Sequence, residues 1–311
     1  MLPVTARAHA NIALIKYWGK VPGSGNLPAV GSLSLTLDCF YSQTTIQESE
    51  ADRFILNSEV QSGASSRRVF EFLDPIRKPG ERLEVVSKNC VPTASGLASS
   101  ASGFAALSVA ANAFFKLGLS PRGLSELART GSGSAARSIF PGLARMHPEG
   151  YAEPVQAPSF DLNLLVVHCS DSKKHRDSRT AMNHTAETSP YYAAWVLTHP
   201  EDLTAALRAL KENQFEALGQ AMEYSTLKMH ASMMAAKPGI WYFEALSWSV
   251  LNCLRELKAE GVKAYFTMDA GPHVKILCQD QDVPVLLKRL SQIPGVIEIL
   301  HARPGPGAMI L

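Results

Sequence analysis

The order of apolar and small polar residues predicts a strand early in the chain. Residues 32–38 alternate serine, threonine or aspartate with leucine, which is the period of a strand with one buried face. Residues 44–47 are expected to continue the same sheet after a turn. The polar, serine-rich stretch 57–68 predicts an exposed loop that leads into a short helix around residues 69–72. Strands and helices alternate from here on, without an internal repeat.

Longer apolar runs fill the middle of the chain. Residues 99–117 are apolar and rich in small side chains, and Gly118 follows at a C-terminal cap position, so a buried helix is expected. The short apolar run 162–167 is typical of a central strand. Apolar residues at helical spacing then predict one long helical region over residues 200–235 and a second over residues 241–260.

The C-terminal part has a strand–strand–helix–strand order. Two strands at 262–268 and 274–278 are joined by a Gly-Pro turn, and a helix at 283–291 leads to a last strand at 296–300. This order predicts an antiparallel sheet covered by helices, which is an α+β arrangement. Because a basic, polar run follows residue 170, we expect two lobes, 1–170 and 171–311.

Composition narrows the class of partner. The chain is 46% hydrophobic, which is ample for a large core, and its 30 Lys and Arg residues nearly balance 28 Asp and Glu residues. No overall field favours nucleic acid or a membrane, and no apolar run approaches the length of a membrane span. The first seven residues lack the layout of a signal peptide, so a cytoplasmic location is expected. The five cysteines are scattered without a CxxC pair, which argues against a disulfide framework or a zinc site.

Four segments carry candidate chemistry, and the first is a phosphate cradle. Residues 91–103 place glycine and small hydroxyl residues directly before the apolar helix. Backbone N–H groups and the positive end of the helix dipole can then face an anion without obstruction. The segment is neither a Walker A loop nor a nucleophile elbow. A small-residue helix packed tightly against a sheet is the alternative.

The second segment is Gly-Ser-Gly-Ser at 131–134, which leads into a helix start. Ser132 or Ser134 can cap that helix while Arg137 lies in its first turn. An arginine there can bind a carboxylate or phosphate through two parallel hydrogen bonds. The alternatives are a flexible linker and a surface salt bridge for Arg137.

The third and fourth segments contain a lysine and an aspartate. Lys16 lies in an apolar segment, where an ammonium is costly unless it meets an anion, whereas Lys20 could simply be solvated. Asp269 ends an alternating strand just before a Gly-Pro turn, where a side chain can face a cleft. A purely local role for Asp269 in stabilising the turn is the alternative.

Read in chain order, these segments closely resemble the mevalonate diphosphate decarboxylase family of the GHMP kinase superfamily. The resemblance is carried by NIALIKYWGK at 11–20, PTASGLASSA at 92–101, GSGSAARS at 131–138, ETSP at 187–190 and DAGP at 269–272. It implies a GHMP kinase fold with two lobes around a deep cleft, the first similar to ribosomal protein S5 domain 2 and the second ferredoxin-like. It also implies a cytoplasmic enzyme that is often a homodimer.

The activity implied by this resemblance uses ATP and Mg²⁺ to convert mevalonate 5-diphosphate to isopentenyl diphosphate, ADP, phosphate and carbon dioxide. Asp269 matches the aspartate that orients or deprotonates the 3-hydroxyl group. Lys16 would lie near Asp269 and keep it ionised. Arg137 matches the arginine that holds the carboxylate that leaves as carbon dioxide.

The resemblance also implies binding residues. The substrate and its diphosphate would be held by Tyr17, Lys20, Ser132, Gly133, Ser134, Arg137, Ser178, Arg179 and Met182. The ATP phosphates would be held by Pro92, Thr93, Ala94, Ser95, Gly96, Leu97, Ala98, Ser99 and Ser100, with Ser99 or Ser100 near the Mg²⁺ ion. Lys173 and Lys174 would add positive charge.

Two departures and three alternatives accompany this hypothesis. His273 stands where the family usually has Asn, which could change the pH dependence near Asp269, and Val30 replaces a common Asn. A relative that decarboxylates mevalonate 5-phosphate, or one that phosphorylates mevalonate without decarboxylation, would share most of these residues. A non-catalytic GHMP-fold protein that binds a metabolite is the alternative of another class.

Overall fold

The computed structural model describes residues 2–23, 25–90, 99–169 and 178–311. Its first sheet has eight strands, and its central order is β12-β1-β2-β5-β3-β4, with β6 and β7 joined to β2. The strands are β1 (Val4–Ile15), β2 (Ser32–Glu48), β3 (Arg53–Leu56), β4 (Glu59–Gln61), β5 (Leu83–Cys90), β6 (Leu143–Met146), β7 (Ala152–Pro154) and β12 (Met309–Ile310). All pairs are antiparallel except that between β3 and β5.

The second sheet is antiparallel and has the order β11-β8-β10-β9. Its strands are β8 (Asn163–His168), β9 (Ala264–Thr267), β10 (Val274–Cys278) and β11 (Glu298–Ala302). The predicted strand–strand–helix–strand order is confirmed here, as is the central strand near 162–167. Since β8 precedes residue 170, that predicted lobe boundary is not marked by the sheet itself and stays a prediction.

Eight α-helices and two 3-10 helices are found in the described part of the chain. The α-helices are α1 (Gly63–Leu73), α2 (Ser99–Phe114), α3 (Pro121–Gly131), α4 (Ser178–Thr188), α5 (Tyr192–Lys211), α6 (Phe215–Met234), α7 (Ala245–Ala259) and α8 (Val283–Leu290). The longer 3-10 helix covers Gly133–Ile139, and a short one covers Asp280–Asp282 just before α8. The buried helix expected over 99–117 is confirmed as α2, which ends earlier than expected.

Three predicted elements were wrong in detail. No turn separates residues 38 and 44, because β2 continues unbroken and pairs with β1 along most of its length. The expected loop at 57–68 contains β4 and the first turns of α1. The long helix expected over 200–235 is two helices, α5 and α6, with Pro200 inside α5 and a break at Asn213, whose φ of 55° ends the helical path.

One hydrophobic core joins the two sheets. Ile12 and Leu14 of β1 and Leu35 of β2 pack in the same cluster as Val166 of β8 and Leu277 of β10. Helices α5 and α6 add apolar side chains to this cluster, and they pack against each other as an antiparallel pair. The two sheets are therefore held together by a shared apolar interior.

A segment that we call the strap, residues 303–308, leads from β11 back to the first sheet. The Gly305 N–H donates to the Thr36 carbonyl at 2.8 Å, and the Gly305 carbonyl accepts from the Gly142 N–H at 2.9 Å. A Cβ atom on Gly305 would lie 2.4 Å from the Leu37 carbonyl, so only glycine fits this approach. The Ala308 N–H donates to the Ile139 carbonyl at 3.2 Å, which fixes the strap to the end of the 3-10 helix.

Candidate active site

Lys16 lies just after β1 in the interior of the protein, with 1% of its side chain exposed. Its Nζ atom donates to Oδ1 of Asp269 at 2.5 Å. Two helices fix its backbone: the Lys16 N–H donates to the Ser225 hydroxyl of α6 at 3.0 Å, and its carbonyl accepts from Nε2 of His199 of α5 at 2.8 Å. The ammonium group is therefore held against the carboxylate by contacts far apart in the sequence.

Asp269 lies in the connection between β9 and β10, where it meets a second lysine. Nζ of Lys275, a residue of β10 that is 1% exposed, lies 3.2 Å from Oδ2 of Asp269. The sequence analysis did not identify Lys275. The signal that pointed to Lys16, a lysine within an apolar segment, is present there as well.

Electrostatics make Asp269 a stable anion. Burial alone would raise the pKa of Asp269, but the adjacent Lys16 and Lys275 ammonium groups hold it well below its usual value. Burial lowers the pKa of Lys16 to about 8, although the attraction of Asp269 opposes this change. At neutral pH the arrangement is a carboxylate between two ammonium groups.

Arg137 is a buried cation that has only neutral partners. It is 2% exposed, its Nη1 donates to the Ser32 hydroxyl at 2.6 Å, and its Nε donates to Oδ1 of Asn11 at 3.3 Å. Asn11 is itself fixed, because its Nδ2 donates to the Ser138 hydroxyl at 2.8 Å and the Ser134 carbonyl at 3.0 Å. In the described part of the chain Arg137 forms no salt bridge, and burial lowers its pKa to about 10. An anionic ligand would complete this site.

The helix expected to start at Ala135 differs from the prediction. It is a 3-10 helix that begins at Gly133, and Arg137 lies in its last turn rather than its first. Ser132 precedes this helix but makes no side-chain cap hydrogen bond. Only Ser132 separates the end of α3 from this 3-10 helix, and 3-10 turns are common as connectors next to α-helices.

Tyr17 and Gly133 form one wall of the site. The Tyr17 hydroxyl is buried and has no hydrogen-bond partner in the described residues, and burial raises its pKa to about 12. The hydroxyl therefore keeps its proton and can donate it in a hydrogen bond. A Cβ atom on Gly133 would lie 2.3 Å from this hydroxyl, so the ring and the backbone approach each other as closely as glycine permits.

This contact yields a prediction for Gly133→Ala. The added methyl group must displace the Tyr17 ring, so we expect the substrate KM to rise by about 10-fold, since a displacement of about 1 Å can cost up to 100-fold. Steady-state kinetics would measure it. Gly123→Ala in α3 is the matched control, because its Cβ would meet atoms at an ordinary 3.5 Å. Equal KM values for both variants would contradict the assignment.

The predicted residues converge on one cavity of about 130 Å³. It is lined by Asn11, Ala13, Lys16, Tyr17, Trp18, Lys20, Ser100, Ser132, Gly133, Ser134, Arg137, Ser178, Arg179, Met182, Met229, Asp269 and Ala270. Every catalytic and substrate-binding residue expected from the sequence is in this set. Lys20, whose Nζ donates to Oδ1 of Asn26 at 2.7 Å, and Arg179 also line a wider cleft of about 700 Å³ next to the cavity.

The expected ATP-binding segment lies mostly outside the described residues. This holds for Pro92, Thr93, Ala94, Ser95, Gly96, Leu97 and Ala98, for the side chain of Ser99, and for Lys173 and Lys174. Ser100 is described: it lines the cavity, and its hydroxyl lies 3.4 Å from that of Ser132. It also borders a second, largely apolar pocket of about 180 Å³ that Phe54, Val69 and Leu107 line.

Both departures from the family pattern are buried away from the cavity lining. His273 is 2% exposed, its Nδ1 accepts a hydrogen bond from the Cys169 N–H at 3.2 Å, and its ring packs on His168. Because Nδ1 accepts, it carries no proton. Val30 lies in an apolar cluster with Tyr17 and Trp18. The expected influence of His273 on the pH dependence stays a prediction.

Comparison with known proteins identifies the family to which the chain belongs. A sequence model described as the diphosphomevalonate decarboxylase-like N-terminal domain matches residues 8–154, and one described as the mevalonate 5-diphosphate decarboxylase C-terminal domain matches residues 164–301. The diphosphomevalonate decarboxylase of Candida albicans is 32% identical over 330 residues, which cover 95% of this chain and 90% of that protein. The chain belongs to the diphosphomevalonate decarboxylase family. The resemblance identified from sequence motifs is thus confirmed.

Solved structures support the same fold. MDDEF in complex with MVAPP, AMPPCP and magnesium is 40% identical and superposes with a TM-score of 0.93, over 100% of this chain and 99% of that chain. Mevalonate diphosphate decarboxylase from Staphylococcus aureus is 37% identical, with a TM-score of 0.92 over 99% of this chain and 98% of that one. The expected α+β, two-lobe GHMP kinase fold is confirmed for this member of the diphosphomevalonate decarboxylase family.

Proposed function

We propose that this protein catalyses the ATP-dependent decarboxylation of (R)-5-diphosphomevalonate to isopentenyl diphosphate, ADP, phosphate and carbon dioxide. The observation that carries the proposal is that one cavity holds both Arg137, a buried cation without an anionic partner among the described residues, and Asp269, a carboxylate between two lysines. The similar MDDEF structure, with MVAPP, AMPPCP and magnesium bound, supports both the substrate and the co-substrate.

Asp269 acts on the 3-hydroxyl group in this proposal. A tertiary hydroxyl is a poor leaving group, so it first attacks the γ-phosphorus of ATP and becomes a phosphate ester. Asp269 accepts the hydrogen bond of the hydroxyl and so aligns its oxygen with the phosphorus. Because the carboxylate is held ionised, it is always available as an acceptor at neutral pH. Lys16, next to it in the cavity, maintains this charge.

Arg137 acts on the carboxylate that leaves. Its buried guanidinium would bind the C1 carboxylate, which supplies the missing counter-ion. When the 3-phosphate departs with its bonding electrons, the C1–C2 electron pair forms the new carbon–carbon double bond and C1 leaves as carbon dioxide. A carboxylate held in one orientation keeps that bond aligned with the breaking C3–O bond.

The remaining cavity residues would bind the diphosphate. Tyr17 offers a buried hydroxyl donor, and Lys20 and Arg179 offer positive charge where the cavity meets the wider cleft. Ser132, Gly133 and Ser134, together with Ser178 and Met182, complete the substrate contacts that we propose.

ATP and magnesium would enter from the start of α2. The phosphates would lie on residues 92–100, and the apolar pocket beside Ser100 has room for the base. No group of three or more His, Cys, Asp and Glu side chains that could hold a metal occurs among the described residues. That is compatible with Mg²⁺ bound mainly by phosphate oxygens and water, with the Ser100 or Ser99 hydroxyl as a protein ligand. When bound, the ion neutralises the charge of the phosphates.

Release of carbon dioxide tests this function. The protein would be incubated with Mg-ATP and C1-labelled mevalonate carrying either a 5-phosphate or a 5-diphosphate, and labelled carbon dioxide and ADP would be measured. We expect both products from the diphosphate. If only the monophosphate releases carbon dioxide, the substrate is mevalonate 5-phosphate instead. Formation of ADP without carbon dioxide would indicate a kinase. If neither product forms, the protein is a non-catalytic binding protein.

Three further properties are proposals that rest on the sequence. They are a cytoplasmic location, a homodimeric state and a division into lobes 1–170 and 171–311. Among the described helices, none is long and apolar enough to span a bilayer. We propose that the protein binds neither nucleic acid nor a membrane.

A pH dependence follows from Lys16. Because its pKa is lowered to about 8, the free enzyme loses this cation above that pH, and kcat/KM should fall there. Lys16→Arg keeps the charge and should move this basic limb to higher pH. Over pH 8 to 10.5 the unfolded chain retains the proton that the folded lysine has lost, so stability contributed by this group should rise with pH. A basic limb that is unchanged in Lys16→Arg would contradict this assignment.

A further inference from the structure

The two lysines that contact Asp269 differ in their access to the cavity. Lys16 lines the cavity, whereas Lys275 does not, although each is only 1% exposed. Lys275 contacts Oδ2 of Asp269 and Lys16 contacts Oδ1. The carboxylate is therefore held from the cavity side by one lysine and from behind, within the second sheet, by the other.

Lys275 is not needed to balance the negative charge of Asp269. Lys16 alone would pair with Asp269, and the surroundings already contain Arg137 as an unpaired cation. A buried ammonium group loses its hydration, and its ion pair compensates for this loss only when the geometry is favourable. Neighbouring residues of β10 are buried and apolar, so an apolar side chain at this position would be the simpler way to complete the strand. The lysine therefore calls for an explanation other than stability.

We propose that Lys275 is a positioning residue that keeps Asp269 ionised and in one orientation from behind, whatever the protonation state of Lys16. The role in catalysis rests on the proposed function, but the effect on the Asp269 carboxylate does not. Lys16 can then move toward substrate oxygens, or lose its proton, without releasing the carboxylate. Lys275 cannot substitute for it as a substrate ligand, since Asp269 lies between Lys275 and the cavity.

Other ionisable groups also act on this pair. In the described part of the chain, the charged and titratable side chains that influence Asp269 or Lys275 include Lys16 after β1, Arg137 in the longer 3-10 helix, His230 on α6 and Cys169 after β8. Burial lowers the pKa of His230 to about 3, so it stays neutral over the working range. Burial raises the pKa of the Cys169 thiol, so it also stays neutral there. Changes at Lys275 are thus read out mainly through Asp269.

The test compares Lys275→Met with Lys275→Arg. Loss of one adjacent cation should raise the pKa of Asp269 by about one to three units, so an acid limb of kcat/KM should move up toward the usual range of a carboxylate. A less firmly held carboxylate should lower kcat at pH 7 by about 10- to 100-fold, with KM changed much less. Carbon-13 NMR of labelled aspartate carboxyl groups, assigned with Asp269→Asn, would follow the same titration without substrate. Lys275→Arg should restore both readouts in part.

Lys258→Met is the matched control, because Lys258 pairs with Glu223 at 2.5 Å in the same half of the molecule but away from Asp269. It should change neither the acid limb nor the titration. If Lys275→Met does not fold, Lys275→Gln provides a neutral donor of similar length with the same expected shifts. Unchanged titration and acid limb in a folded neutral variant would overturn the inference. A wild-type protein without turnover, combined with a shifted NMR titration, would instead overturn the proposed function alone.

Discussion

Asp269→Asn should lower kcat by about 1,000-fold or more, while ATP still binds. An amide is nearly the same size as the carboxylate, but it cannot hold the 3-hydroxyl with a negative charge, and a positioned acid–base group contributes about 100- to 10,000-fold. Single-turnover measurement of ADP formation and a separate nucleotide-binding titration would measure the two effects. Turnover within about 10-fold of the wild type would contradict the role of Asp269.

The same substitution should also destabilise the protein. The structure has two buried lysines that share this carboxylate. Loss of their counter-ion should lower the free energy of unfolding at pH 7 by about 3 kcal/mol. The loss should diminish toward pH 10, because folded Lys16 gives up a proton that the unfolded chain retains. Urea unfolding at both pH values would measure this.

Asp202→Asn is the control for stability. Asp202 is buried and pairs with Lys228 at 2.8 Å, away from the cavity lining. Its replacement should destabilise the protein but leave kcat unchanged, which separates loss of an ion pair from loss of catalysis.

Arg137→Met should have opposite effects on activity and stability. The variant loses the partner of the C1 carboxylate, so kcat/KM should fall by about 1,000-fold, in the range for a residue that orients the reacting group. The substrate-free protein should be as stable as the wild type or more stable, because a buried cation without a counter-ion is replaced by an apolar chain of similar length. Thermal unfolding with and without substrate would show both effects.

Arg137→Lys refines this prediction. A lysine keeps the charge but not the two parallel donors, so it should recover only part of the activity. A large fall in the stability of substrate-free Arg137→Met, with substrate affinity unchanged, would instead mean that the arginine serves the fold through Ser32 and Asn11.

Local signals in the sequence made Lys16, Arg137 and Asp269 candidates, and the structure places all three on one cavity. Each is a charged residue beside an apolar or glycine-rich segment, and the motif resemblance supplied their roles. Lys275 carries a similar signal, but in a strand that alternates, Lys275 would ordinarily face solvent. Its burial arises because both faces of β10 are covered, one by the shared core with Leu277 and the other by α7 and α8. Layering of this kind is not visible in one strand's sequence.

Contacts between distant elements set the rest of the site. His199 and Ser225 hold the backbone of Lys16, yet each is an ordinary polar residue on a helix, and nothing local distinguishes it from its neighbours. The break between α5 and α6 was missed for a related reason. Apolar spacing continues across it, and only the left-handed backbone at Asn213 ends the first helix. The fold class was therefore predictable from the sequence, whereas the contacts that hold the proposed catalytic residues in place were not.

The strap limits how this enzyme can close over its substrate. Lys16 directly follows a strand of the first sheet, and Asp269 lies in the connection between two strands of the second, so a hinge motion between the sheets would part the pair. The glycine contacts of residues 303–308 and the common apolar core both oppose such a motion. We therefore expect any closure over the substrate to occur by local rearrangement at the cavity mouth, around Lys20 and Arg179, while Lys16 and Asp269 stay paired.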